Sequence, residues 1–61
     1  MIENITVICR GKVVRLPSST RHDQLVGFFN ISVGTEITGT RNGCKVRFEY
    51  ISGEGFKWVK A

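Results

Sequence analysis

Apolar residues enter this chain in short bursts separated by glycine, asparagine or proline, which is the grammar of β-hairpins. Ile2, Ile5, Val7 and Ile8 form a β-branched opening stretch, interrupted at Arg10-Gly11 before Val13, Val14 and Leu16 resume it. That pattern predicts a first hairpin. Pro17-Ser18-Ser19-Thr20 then ends its second strand, because proline has no N–H to give a ladder and the serine oxygens suit a helix cap. A later strand opens at Gly34-Thr35 and runs through Ile37, and Asn42-Gly43 follows it, two residues that accept the positive φ of a type I′ turn. Beyond that turn Cys44, Val46, Phe48 and Tyr50 fall on one side and Lys45, Arg47 and Glu49 on the other. Ser52-Gly53-Glu54-Gly55 turns the chain again, and Phe56, Trp58 and Lys60 alternate with Lys57 and Val59 in a last strand. Phe48 and Tyr50 are expected in the core, with Trp58 divided between core and surface.

The stretch from Arg21 to Val33 reads two ways. At helical spacing Leu25, Phe28 and Phe29 share a face, Ser19 or Thr20 serves as N-cap, Asp23 lies near the positive helix end and Asn30 is a C-terminal stop. At period two, Leu25, Gly27, Phe29, Ile31 and Val33 alternate as a strand. The polar lead-in from Ser18 to Gln24 suits a cap and first turn better, so a short helix over residues 19–29 is expected, weakened by Gly27. The fold class that results is a small β-rich domain of antiparallel hairpins, about five short strands with one short helix near residues 19–29. An all-β SH3-like small barrel is the alternative.

At 61 residues the chain has room for one domain, residues 1–61, and one core. A core this small gains from self-association, a disulfide or a partner, and a homodimer is expected. The opening Met1-Ile2-Glu3-Asn4 lacks a basic leader, and no apolar run approaches the roughly 20 residues that span a bilayer. The expectation is a cytoplasmic protein with no membrane partner, in which Cys9 and Cys44 are thiols and the sequons Asn4-Ile5-Thr6 and Asn30-Ile31-Ser32 are chance matches.

Catalysis needs convergent groups, and the chain offers one imidazole, His22, and five scattered carboxylates. A Cys9 or Cys44 nucleophile with His22 as base has no support in the spacing, and a closed zinc site wants four Cys or His ligands where three exist. Gly53-Glu54-Gly55 begins like a dinucleotide fingerprint but no helix follows it. The expectation is a non-enzymatic protein without cofactor or metal, in which His22 is a solvated side chain.

Charge changes the picture more than chemistry does. Nine Lys and Arg against five Asp and Glu give a formal net charge of +4 and a sequence pI near 9.6, which favours polyanionic partners. Lys45, Arg47, Lys57 and Lys60 lie on the two final strands, interleaved with Phe48, Tyr50, Phe56 and Trp58, which serve as stacking platforms or as core. A second basic set, Arg10, Lys12, Arg15 and Arg21, sits in and just after the first hairpin. Lys12, Arg15, Arg21, Lys45, Arg47 and Lys57 are therefore the candidate nucleic-acid contacts, with DNA favoured over RNA. The competing reading is a small phage or mobile-element protein that inhibits a host protein by direct binding, anchored through exposed Phe28 and Trp58.

Val7, Gly11-Lys12-Val13-Val14, Leu16-Pro17 and Arg21, followed by Ile31-Ser32-Val33-Gly34-Thr35-Glu36-Ile37, resemble over about half the chain the swapped-hairpin family of AbrB and MazE. Its members read strand, Gly-basic-Val-Val, Ile-Pro, a short helix carrying Arg, an Ile-x-x-Gly-Asp-x-Val phrase and a closing hairpin. The resemblance implies an intertwined homodimer that binds DNA as a transcriptional regulator or as the antitoxin of a toxin pair. By position it implies DNA contacts from Lys12, Arg15 and Arg21.

Overall fold

A computed structural model of the chain describes residues 1–31 and 34–61. Five strands and one helix follow in the order β1 (Glu3–Cys9), β2 (Lys12–Leu16), α1 (His22–Ile31), β3 (Glu36–Arg41), β4 (Cys44–Ile51) and β5 (Gly55–Lys60). The strands form one antiparallel sheet in the order β2-β1-β3-β4-β5. Both β2 and β5 are open edges, so the sheet does not close into the alternative barrel.

Local chemistry sets each turn. Arg10-Gly11, with φ values of 51° and 78°, and Asn42-Gly43, with 51° and 79°, place two successive residues at positive φ, as a two-residue type I′ hairpin requires. Asn4 is, with Arg10 and Asn42, a third non-glycine residue at positive φ, 53°, among the described residues. It marks a bulge where the β1–β3 register slips between Glu3 and Thr6, and its Nδ2 donates across the gap to Thr40 Oγ1 at 3.2 Å.

The helix starts three residues later than the expected 19–29 span and ends two later. Thr20 folds back on the proline instead of capping, its N–H and hydroxyl both donating to the Pro17 carbonyl at 3.0 and 2.7 Å. Arg21 takes the cap position. Its N–H donates to Gln24 Oε1 at 2.9 Å, the reach-back half of a capping box, while Asp23 lies in the positive first turn as expected. Asn30 is inside the helix and does not stop it. Ser32 and Val33, which belong to the period-two reading, to a sequon and to the family-like phrase, lie outside the described residues.

Side chains on the helix-covered face of the sheet make the core: Ile5 and Val7 of β1, Ile37 of β3, Phe48 of β4, and Leu25 from the helix. Gly39 follows Ile37 on the same face and lets Ile2, Trp58 and the backbone of β1 close in. Aromatic rings gather around Phe48. His22, Phe29, Phe56 and Trp58 lie 5.3, 5.8, 5.7 and 5.2 Å from it between centroids; His22 is exposed, as expected, and its ring also meets Phe48 at a steep angle. Tyr50 shares this face of β4 but is 64% exposed, against the expectation that it is core. A helix of 10 residues is about 15 Å long, whereas the 8 residues of β4 extend about 26 Å, so the strand end outruns its cover.

Candidate nucleic-acid interface

Only one face of the sheet is covered by the helix. Register fixes what the other face presents: Val13 and Arg15 from β2, Thr6 and Ile8 from β1, Glu36, Thr38 and Thr40 from β3. Lys45, Arg47 and Glu49 from β4 and Lys57 and Val59 from β5 complete it. Arg15, Thr6, Thr38, Arg47 and Val59 form one continuous row of partners across all five strands.

Four of the six candidate cations, Arg15, Lys45, Arg47 and Lys57, are thus brought to one face by strands far apart in sequence. Arg15 and Arg47 are three strand spacings apart along their row, about 14 Å at roughly 4.8 Å each. Thr6, Thr38 and Thr40, all half-buried, place hydroxyl groups between them. Arg47 Nε pairs with Glu49 at 2.9 Å and Lys57 Nζ with Glu54 at 2.9 Å, all four side chains about half exposed. Ion pairs this wet contribute about 0–1 kcal/mol, so a phosphate can replace either carboxylate at small cost.

No match to a family model, a curated protein or a solved structure is found for this chain. The surface has to be read from its own chemistry.

The remaining candidates lie elsewhere. Lys12 pairs with Cys9 at the hairpin end, on the helix side of the sheet, and Arg21 stands at the helix start with its Nε 3.9 Å from Asp23. Phe28 and Trp58, the candidate protein anchors, are both half-buried against the core cluster. The interleaving of cations and aromatics in the last two strands is resolved by register: the cations take the open face, while Phe48, Phe56 and Trp58 stack among themselves under the helix. Among the described residues the open face carries no aromatic side chain, and bases have no platform on it.

Sequence reasoning missed the threonines of this face. Their signal was available, since Thr6, Thr38 and Thr40 sit at positions alternate to Val7, Ile37 and Gly39, but the bulge at Asn4 and the pairing of β1 with β3 are needed to align them. A cleft between β3 and β4 was also not foreseen. Their ladder begins only at Thr38–Arg47, and Glu36, Ile37, Phe48 and Glu49 line a cavity of about 500 Å³ with Phe29 on its core side. Among the described residues no cluster of three or more His, Cys, Asp or Glu is placed to hold a metal. No described helix is long and apolar enough to cross a membrane.

Proposed function

We propose that this protein is a non-enzymatic nucleic-acid-binding module that grips the sugar-phosphate backbone of duplex DNA with the uncovered face of its sheet. The observation that carries this reading is the gathering of Arg15, Lys45, Arg47 and Lys57 on that face together with a threonine row and, among the described residues, no aromatic ring. Lys and Arg are the groups that hold phosphate oxygens, while the Thr6 and Thr40 hydroxyls, which donate to the Asn4 and Glu3 carbonyls at 3.3 Å, leave small uncharged surface between them. Single-strand recognition would want rings on which bases stack. The spacing of about 14 Å between Arg15 and Arg47 is close to the roughly 12 Å width of the B-DNA major groove, so the two can hold phosphates on either side of it. Such contacts position a protein on DNA and carry little sequence information, which makes this face a backbone clamp.

Phosphate binding releases counterions, so four engaged cations should give log affinity falling against log salt with a slope of roughly −3 to −4. A salt titration with generic duplex measures it directly. Reversing Arg15 and Lys45 to Glu should abolish most binding and flatten the slope. Lys60→Glu provides the control, because Lys60 pairs with Val46 and lies on the helix side; it should leave the slope nearly intact. Equal losses for the two faces would reduce the effect to net charge and reject the interface.

A further inference from the structure

We propose that β2 is a docking edge for an extended acidic segment of a partner protein, which joins the sheet as a sixth strand. The site uses the strand's outward backbone and borders the open face, sharing Val13 and Arg15 with it. In a two-residue hairpin the pair flanking the turn, here Cys9 and Lys12, exchanges hydrogen bonds and the pattern alternates from there. Lys12, Val14 and Leu16 therefore bond to β1, and the N–H and C=O groups of Val13 and Arg15 point away from the sheet. Val13 is 63% exposed and Val14 46%, two of the four exposed large hydrophobic residues among those described. An unpaired edge with β-branched apolar residues is a template for another strand.

Charge selects the occupant. From residue 4 to residue 22 the sequence contains Arg10, Lys12, Arg15 and Arg21 and no Asp or Glu. A second copy of the chain would bring Lys12 and Arg15 of its own β2 to the seam, a strand with no Asp or Glu, so like charges oppose self-pairing. Phosphate offers acceptors alone and leaves the outward carbonyls of Val13 and Arg15 without donors. A peptide strand supplies both, and carboxylates facing Lys12 and Arg15 supply the complementary charge. At the end of β2 the edge runs into an open cavity of about 510 Å³ between Leu16 and Pro17 on one side and Arg21, Gln24 and Phe28 of the helical stripe on the other. An apolar side chain of the partner can anchor there, between Leu16 and Phe28, with Arg21 beside it for a further carboxylate.

The test is NMR on the whole chain with a capped peptide of about eight Val and Glu residues in which Glu occupies both odd and even positions, so that carboxylates reach Lys12 on one face and Arg15 on the other, a counterpart with Lys for Glu, and a short DNA duplex. The Glu peptide should shift the Val13 and Arg15 amides and slow their hydrogen exchange, and the Lys peptide should not. Val13→Pro removes an outward N–H while leaving the β1 ladder intact; it should weaken peptide binding about tenfold or more while weakening duplex binding far less than the Arg15 and Lys45 reversals do, because all four cations of the open face remain. Should that variant unfold, Lys12→Glu with Arg15→Glu provides the second arm, and preference should switch to the Lys peptide. No response of these amides to millimolar Glu peptide, or equal binding of both peptides, overturns the proposal. So does protection of the Val13 amide by duplex instead of peptide, and so does protection that rises with protein concentration alone, which would make the occupant a second copy.

Discussion

Gly39 lies where β3 passes close to β1 and Trp58, and a methyl group built there would meet Ile2 Cγ2 at 2.6 Å and the Glu3 carbonyl oxygen at 3.0 Å. The isoleucine tip can move, but the carbonyl belongs to β1 and can yield only by shifting the strand. Gly39→Ala should therefore destabilise the fold by about 1–3 kcal/mol. At about 4–8 °C per kcal/mol for a domain of this size, a thermal melt will resolve it. A fall of under a degree would mean that β1 and β3 are not packed this closely. The hairpin residue Gly43, at φ 79°, poses a different constraint, since its added Cβ meets no atom within 4 Å and the penalty is conformational. Replacing Asn42 and Gly43 together by Val puts β-branched side chains at two positive-φ positions, at about 1–3 kcal/mol each. Chemical denaturation should show a loss of a few kcal/mol, with the β4 face that carries Lys45 and Arg47 losing its register.

At the level of elements, the helix is held at its start by one side chain. Gln24 Oε1 accepts from the Arg21 N–H at 2.9 Å, and removing that acceptor leaves a first-turn donor to water. Gln24→Ala should lower stability by about 1 kcal/mol, whereas Gln24→Glu, which keeps the acceptor and adds a favourable charge near the positive end, should not. Far-UV circular dichroism with thermal unfolding separates the two variants. The same comparison explains why the helix begins at His22 and not at Ser19: Thr20 spends its hydroxyl on Pro17, so the reach-back bond from Gln24 decides the boundary.

The whole molecule depends on one ring. Phe48 is 1% exposed and touches aromatic side chains from the helix, from β5 and from His22. Phe→Ala at such a site costs about 3–5 kcal/mol. At roughly 0.05–0.15 kcal/mol per residue, a chain of 61 residues holds only about 3–9 kcal/mol in all. Phe48→Ala should leave a large unfolded population at room temperature, visible as collapse of amide dispersion in an NMR spectrum. Tyr50→Ala, two residues along the same face, should cost far less, because most of that ring is already in water. If the two variants melt alike, the helix does not sit over Phe48.

Hairpin turns, strand alternation and the existence of one short helix were legible in the residues themselves, because Asn-Gly, Pro and period-two patterning act through local sterics within a few positions. Alternation also placed Lys45 and Arg47 opposite Phe48 before any contact was known. What it left open depended on residues distant in sequence. The order β2-β1-β3-β4-β5 inserts β3 beside β1, and that pairing alone brings Arg15 into line with Arg47. The fate of Trp58 and Tyr50 turned on how far a short helix reaches over a longer strand, a matter of lengths in three dimensions. The edge at β2 exists because, among the described strands, only β1 pairs with it, and only the completed sheet decides which strand is left outermost.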